Sequence, residues 1–162
     1  MRYSLYCAEH TGRITVVRMA SSLPLPGVRE SSLQEAGQIK TILLVDDRDF
    51  ERFAIRAAIE GLTNFRVCGE ASNGVEAVKK ATELKPNLVV MDLAMPLMNG
   101  LEAATVLKNS MPGVPIVLLT LYADQVRPRS SAFGVATILS KVDGLTPLLE
   151  CLEKMLGPTG SV

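Results

Sequence analysis

The stretch Leu88–Pro96, LVVMDLAMP, joins four consecutive apolar residues to an acid and then to a proline-containing loop. A short apolar run that is bounded by loop signals is typical of a strand buried on both faces of a parallel sheet. The strand is therefore predicted to end at Asp92. Its carboxylate would then lie at the carboxyl edge of the sheet.

Three other apolar segments are followed by polar side chains in the same way. They are Thr41–Val45 with Asp46 and Asp47, Val114–Leu119 with Thr120, and Val135–Ser140 with Lys141. In a doubly wound parallel sheet the carboxyl ends of the strands open on one crevice, so these side chains are expected to converge there. Carboxylates, a hydroxyl and an ammonium group suit a divalent cation together with a phosphoryl group.

Strand and helix patterns alternate from Thr41 onward. The predicted strands are 41–46, 65–71, 87–92, 114–120 and 135–140, and the predicted helices are about 48–61, 73–85, 100–110, 123–133 and 144–157. This alternation indicates a parallel sheet with helices on both faces. Asn73 precedes the second helix and Pro86 stops it, while Asp143 is predicted to cap the last helix.

The composition describes a soluble globular domain. The chain has 162 residues, of which 48% are hydrophobic and 21% charged. A formal net charge of zero and an aromatic content of 4% without tryptophan favour neither nucleic acid nor an anionic membrane. Three widely spaced cysteines form no disulfide or metal pattern. No apolar run approaches the ~20 residues of a membrane helix. A cytoplasmic location is therefore predicted.

The chain divides into three parts by composition. Residues 1–40 contain the breaker cluster Ser21–Gly27 and are predicted to be a flexible or disordered extension. Residues 41–157 hold the five strand and helix patterns and form the domain. Residues 158–162 are a short tail.

Every residue of the polar set also has an ordinary structural explanation. Asp46, Asp47 and Asp92 could cap helices, Thr120 is common in strands, and Lys141 could be a solvated surface lysine. The combination is more specific than any member, because four residue types fall at the ends of four separate strands. A hard cation such as Mg²⁺ prefers oxygen ligands. Asp47 is assigned as a direct ligand and Asp46 as a water-mediated or outer one, and Asp92 could be a ligand, a nucleophile or both.

This constellation resembles the receiver domain of two-component response regulators over residues 41–157. The matching motifs are Ile42–Asp47, Val90–Gly100, Leu118–Thr120 and Leu139–Lys141. The resemblance implies an α/β fold of the flavodoxin-like type. Its doubly wound, five-stranded parallel sheet would have the strand order 2-1-3-4-5, with helices on both faces.

The resemblance also implies a mechanism. Asp92 would accept a phosphoryl group from a histidine kinase or a histidine phosphotransfer protein. Mg²⁺ would be held by Asp47, Asp92 and the backbone carbonyl of Ala94, with Asp46 assisting. Thr120 and Lys141 would contact the phosphoryl group. Such a protein is not an enzyme beyond its own phosphorylation and dephosphorylation.

The sequence departs from the family pattern at two positions. Ile138 stands where the family commonly has the aromatic residue of a conformational switch, and Val142 stands where proline is frequent. The segment Ser140–Asp143 resembles the subgroup that is fused to LuxR-type DNA-binding domains. No such domain follows here, so a single-domain protein that acts on a downstream protein target, without direct DNA binding, is expected. Homodimerisation is left open.

Three other functions compete with this interpretation. The first is a receiver fold that serves as an interaction module without phosphorylation. The second is an enzyme of the haloacid dehalogenase type, which also uses a nucleophilic Asp, Mg²⁺, Thr or Ser and Lys, although Phe50 breaks its opening motif. The third is a flavodoxin-like cofactor binder, which the sequence disfavours because no glycine-rich phosphate loop follows the first strand.

Overall fold

The computed structural model describes residues 39–126 and 133–157. The predictions made for residues 1–38, for the tail 158–162 and for the middle of the fourth helix lie outside the described residues. In chain order the elements are β1 (Thr41–Val45), α1 (Asp49–Leu62), β2 (Arg66–Ala71), α2 (Gly74–Leu84), β3 (Leu88–Met91), α3 (Gly100–Ser110), β4 (Ile116–Thr120), α4 (Ala123–Val126), β5 (Thr137–Ser140) and α5 (Thr146–Leu156).

The five strands form one parallel sheet in the order β2-β1-β3-β4-β5, which confirms the predicted topology. Side chains alternate across each strand, so β1 supplies both layers of the core. Ile42 and Leu44 pack with α1 and α5 residues on one face, whereas Leu43 and Val45 pack with α2 and α3 residues on the other. Burial on both faces explains why the inner strands β1, β3 and β4 are nearly continuous apolar runs.

Two strands, β4 and β5, start two residues later than predicted. β4 begins at Ile116 instead of residue 114, because Pro115 has no N–H group to donate to a neighbouring strand. β5 begins at Thr137 instead of residue 135, and Ala136 is exposed. Both strands still end where the sequence predicted, which is what matters for the position of the polar residues.

The last helix begins differently from the prediction, and the assignment of Asp143 as its cap is wrong. Asp143 ends a short 3-10 turn, Lys141–Asp143, and Gly144 with φ 77° then redirects the chain. α5 starts only at Thr146, with Leu145 as an N-cap that makes no side-chain bond. Pro147 lies in the first turn, where the missing N–H group leaves one donor fewer to satisfy.

The fourth helix was predicted over residues 123–133. The described part of α4 is Ala123–Val126, and Phe133 does not belong to an α-helix. Among the described residues, none of the helices combines the length and the apolar character that a membrane crossing requires.

Two helix starts hold the loop that follows β3. The Gly74 N–H group at the start of α2 donates to the Met98 carbonyl at 3.1 Å, and a Cβ on Gly74 would come within 2.6 Å of that oxygen. A Cβ on Gly100 at the start of α3 would come within 2.3 Å of the Asp92 carbonyl oxygen. Only glycine permits such close approaches, so the loop that carries Ala94 is fixed at both ends.

Candidate functional site

The strand ends bring the predicted polar residues to one edge of the sheet. Val45 is paired with Met91 across β1 and β3, so Asp46 and Asp92 follow at neighbouring positions. The Asp92 N–H group donates to the Val45 carbonyl at 2.8 Å, which extends the ladder to the acid itself. On the other side of β3, Leu118 of β4 pairs with Met91.

Three carboxylates form a compact cluster at this edge. One oxygen from each of Asp46, Asp47 and Asp92 lies within 4.8 Å of the others. Adjacent residues of a strand point to opposite faces, so Asp46 and Asp47 can meet only if the chain turns. It does so because Asp46 Oδ1 accepts from the Arg48 N–H group at 2.9 Å, which closes a local side-chain turn. Asp46 and Asp92 are buried, whereas Asp47 is exposed.

Lys141 supplies a positive charge to the cluster. Its Nζ lies 2.5 Å from Asp46 Oδ2, 2.5 Å from Glu51 Oε2 and 3.2 Å from Asp92 Oδ2. Burial by itself lowers the pKa of the lysine, but the bonds to Asp46 and Glu51 and the charge of Asp92 outweigh burial and raise the pKa above its ordinary value. Lys141 therefore remains an ammonium group at neutral pH.

Asp92 is a buried acid whose neighbours shift its pKa in opposite directions. Burial raises its pKa above the ordinary value, the nearby Asp46 charge adds to this, and Lys141 and the Leu93 N–H group oppose it. Its Oδ1 accepts from Leu93 N–H at 2.7 Å, and its Oδ2 faces Lys141. A bound cation stabilises a buried carboxylate that lies close to other acids.

A cavity of about 190 Å³ opens beside these acids. Its lining residues are Asp47, Arg48, Asp92, Ala94, Leu121 and Tyr122. This volume is well above the ~10–15 Å³ that a single water molecule requires, so there is room for a cation with some of its water or for a phosphoryl group. The acidic ligands available are all oxygen donors, and Mg²⁺ prefers such a set.

Thr120 is placed at the same edge but not on the cavity wall. It is fully buried at the end of β4, and its Oγ1 accepts from the Tyr122 N–H group at 3.3 Å. Leu121 and Tyr122, which follow it, do line the cavity. Ile138, at the position of the family's aromatic residue, is buried in the core layer that also holds Leu118. The role of the Thr120 hydroxyl stays a prediction.

Sequence reasoning missed two charged residues of this site, Arg48 and Glu51. Arg48 Nη1 lies 2.5 Å from Glu51 Oε1, and Arg48 Nε lies 3.9 Å from Asp46 Oδ1. Glu51 falls in the first turn of α1, where an acid is explained by the helix dipole alone. Its partner Lys141 is 90 residues away, so no local spacing could have revealed the contact.

Comparison with known proteins agrees with this geometry. The family model described as "Response regulator receiver domain" matches residues 42–153. Response regulator protein VraR of Staphylococcus saprophyticus is 34% identical over 114 residues, which cover 70% of this chain and 54% of VraR. Response regulator GacA of Pseudomonas viridiflava is 36% identical over 113 residues, which cover 69% of this chain and 53% of GacA. The chain thus matches about half the length of these curated relatives.

Solved structures show the same fold. Response regulator protein TrrA of Thermotoga maritima, crystallised in complex with Mg(2+)-BeF, superposes with a TM-score of 0.67 at 29% identity and covers 72% of this chain and 99% of its own. The response regulator domain of Thermotoga maritima CheB superposes with a TM-score of 0.66 at 25% identity and covers 77% of this chain and 99% of its own.

Proposed function

The chain belongs to the family of response regulator receiver domains, and from that premise we propose that Asp92 is the residue on which it accepts a phosphoryl group. A histidine kinase or a histidine phosphotransfer protein supplies the group. The observation that carries the proposal is the setting of the Asp92 carboxylate. It is 4% exposed, within 4.8 Å of the Asp46 and Asp47 carboxylates, and 3.2 Å from the Lys141 ammonium group.

The chemistry is an in-line displacement on phosphorus. A carboxylate oxygen of Asp92 attacks the phosphorus atom of a phosphohistidine and forms a P–O bond. The P–N bond breaks, and its electron pair stays on the imidazole nitrogen. The product adds about −1.5 to −2 charges beside the acids that are already there. Lys141 offsets part of this charge, because it is buried against Asp92 and is held as an ammonium group.

Mg²⁺ is the proposed cofactor. Asp47, Asp92 and the backbone carbonyl of Ala94 would hold it, with Asp46 assisting. Support comes from the three clustered carboxylates and from the position of Asp47, Asp92 and Ala94 on one cavity wall. TrrA, a similar protein, was crystallised with Mg²⁺ and beryllium fluoride. When bound, the ion neutralises charge on the phosphoryl oxygens.

Thr120 and Lys141 are the proposed contacts of the phosphoryl group. The Thr120 hydroxyl accepts from the Tyr122 N–H group, and its own hydrogen is the one that it would donate to a phosphoryl oxygen. A shift of Thr120 toward the cavity would move Leu121 and Tyr122, which are both exposed. A protein target would then bind the changed surface, which corresponds to a population shift between two states of the chain.

The remaining expectations follow from this role and stay predictions. They are a cytoplasmic location, the absence of direct DNA binding by the chain, a signalling role without enzyme activity on other substrates, and homodimerisation as an open alternative. An electrophoretic mobility assay with the phosphorylated chain would check the statement on DNA.

The test is phosphorylation by acetyl phosphate in the presence of Mg²⁺, followed by intact mass spectrometry. The unsubstituted chain should gain one phosphoryl group, and Asp92→Asn should lose at least about 99% of the labelling, since an amide cannot form the acyl phosphate. Asp49→Asn, on the exposed first turn of α1, is the matched control and should label normally. Equal labelling of Asp92→Asn would reject the assignment. A folded, unlabelled wild-type chain would favour an interaction module that works without phosphorylation.

A further inference from the structure

Glu51 contacts two cationic residues of the site, Lys141 and Arg48. Its Oε2 is 2.5 Å from Lys141 Nζ, and its Oε1 is 2.5 Å from Arg48 Nη1. Both cations face the carboxylate cluster: Lys141 contacts Asp46 and Asp92, and Arg48 lines the cavity. A single glutamate on α1 therefore binds both of these positive charges.

The distances rank the partners of Lys141. Its Nζ is closer to Asp46 and Glu51, at 2.5 Å each, than to Asp92 at 3.2 Å. An ammonium group has three hydrogens to donate, and two of them are directed to acids other than Asp92. A phosphoryl group on Asp92 would need the same hydrogens for its own oxygens.

We propose that Glu51 is a positioning residue that competes with the phosphoryl group for Lys141 and so disfavours the phosphorylated form of the chain. The inference rests on the proposed role of Asp92. Without the Glu51 charge, Lys141 keeps Asp46 as an anchor, and its remaining hydrogens can turn toward Asp92.

Two simpler explanations of Glu51 require a matched control. An acid in the first turn stabilises a helix through the dipole, and any nearby acid repels a phosphoryl group. Asp49 lies in the same turn of α1 and carries the same charge, but its side chain is 92% exposed and pairs with Arg52, not with Lys141. Asp49→Asn therefore reproduces the helix effect and the general loss of charge without touching Lys141.

The experiment compares Glu51→Gln with Asp49→Asn, each alone and combined with Lys141→Met. Chains are treated with acetyl phosphate at saturating Mg²⁺, and the phosphorylated fraction at steady state and its decay after removal of the donor are measured. The ratio of phosphorylated to unphosphorylated Glu51→Gln should exceed that of wild type by about three- to tenfold, the range expected for one partly buried charged contact. Asp49→Asn should stay within about twofold of wild type.

Two further measurements separate a route through Lys141 from a structural effect. In the Lys141→Met background, Glu51→Gln should change the ratio by less than about twofold, because the group for which it competes is gone. Calorimetric titration of Mg²⁺ should give Glu51→Gln and Asp49→Asn the same affinity within about twofold. Thermal unfolding confirms that each variant is folded.

Each outcome decides the matter. A ratio for Glu51→Gln that is unchanged or lower than that of a labelled wild-type chain would overturn the inference and leave Asp92 as acceptor. A gain that Asp49→Asn shares, that persists with Lys141→Met, or that follows a tighter Mg²⁺ affinity would also overturn it. An unlabelled wild-type chain would overturn the proposed function together with the inference.

Discussion

Two charged clusters include residues of α1, and they differ in their ratio of acids to bases. The arginine cluster consists of Arg52, Arg56, Asp49, Glu60 and Glu70, in which Arg56 bonds both glutamates and Arg52 bonds Asp49 and Glu70. The acidic cluster consists of Asp46, Asp47, Glu51 and Asp92 with Lys141 and Arg48. The first set pairs three acids with two bases, whereas the second has four acids and two bases.

Burial sharpens the difference between the clusters. The Arg56 and Glu70 side chains are 44% and 31% exposed, so water screens their attraction. The Asp46, Asp92 and Lys141 side chains are 2%, 4% and 9% exposed, so the excess negative charge is poorly solvated. A more exposed cluster in which each acid has an arginine partner serves the fold, whereas a buried cluster with twice as many acids as bases favours a cation or a phosphoryl group from outside.

The largest difference should appear when a cation is removed from the acidic cluster. Lys141→Met keeps much of the side-chain volume but leaves Asp46 and Asp92 without their buried partner, which should lower the free energy of unfolding by about 3 kcal/mol. Urea unfolding without Mg²⁺ measures the loss. Saturating Mg²⁺ should restore part of it, because an ion that binds only the folded state stabilises that state. A loss below about 1 kcal/mol would place Lys141 among ordinary surface lysines.

A smaller effect is expected when a proposed ligand is removed. Asp47 is exposed and takes no part in the core, so Asp47→Ala should leave the fold intact while it weakens Mg²⁺ binding by about tenfold or more. Isothermal titration calorimetry gives the two affinities. Glu70→Ala removes one acid from the arginine cluster and should leave the Mg²⁺ affinity within about twofold of wild type. Equal weakening by both variants would show that net charge, not ligation, determines binding.

The sequence predicted the acidic cluster to the extent that strand ends determine it. Asp46, Asp92 and Lys141 each follow a buried apolar strand, and parallel strands end at one edge, so their convergence could be foreseen. The starts of β4 and β5 differ from the prediction by two residues, but they lie at the opposite edge of the sheet. The position of the site therefore depends on the predicted ends of the strands, not on their starts.

Contacts that depend on side-chain conformation or on loop geometry could not be foreseen. The bond between Glu51 and Lys141 depends on where α1 begins and on two long side chains, and the residues are 90 positions apart. The capping role assigned to Asp143 failed because a 3-10 turn and Gly144 come before α5. In both cases the residue also fitted the start of a helix, and this local explanation hid its actual position and contacts.

The smallest effect is expected in the arginine cluster. Arg56→Met should lower the free energy of unfolding by about 0.5 kcal/mol at neutral pH, because the pair is exposed and Arg52 still holds Glu70. The bond from Arg56 lowers the pKa of Glu70 below its ordinary value of 4.5, although burial opposes the shift. The stabilisation is thus fully present above about pH 4.5 and declines as the pH falls further and Glu70 takes up a proton.

Urea unfolding of wild type and Arg56→Met at about pH 7 and about pH 4 tests both statements, because the difference between the two chains should shrink at the lower pH. Salt at about 1 M should shrink it as well, since screening acts strongly on exposed pairs. A loss of about 3 kcal/mol that neither acid nor salt reduces would make this cluster equivalent to the buried one. The contrast between a solvent-screened ion-pair cluster and a buried site with excess acid would then fail, because burial would no longer separate the two.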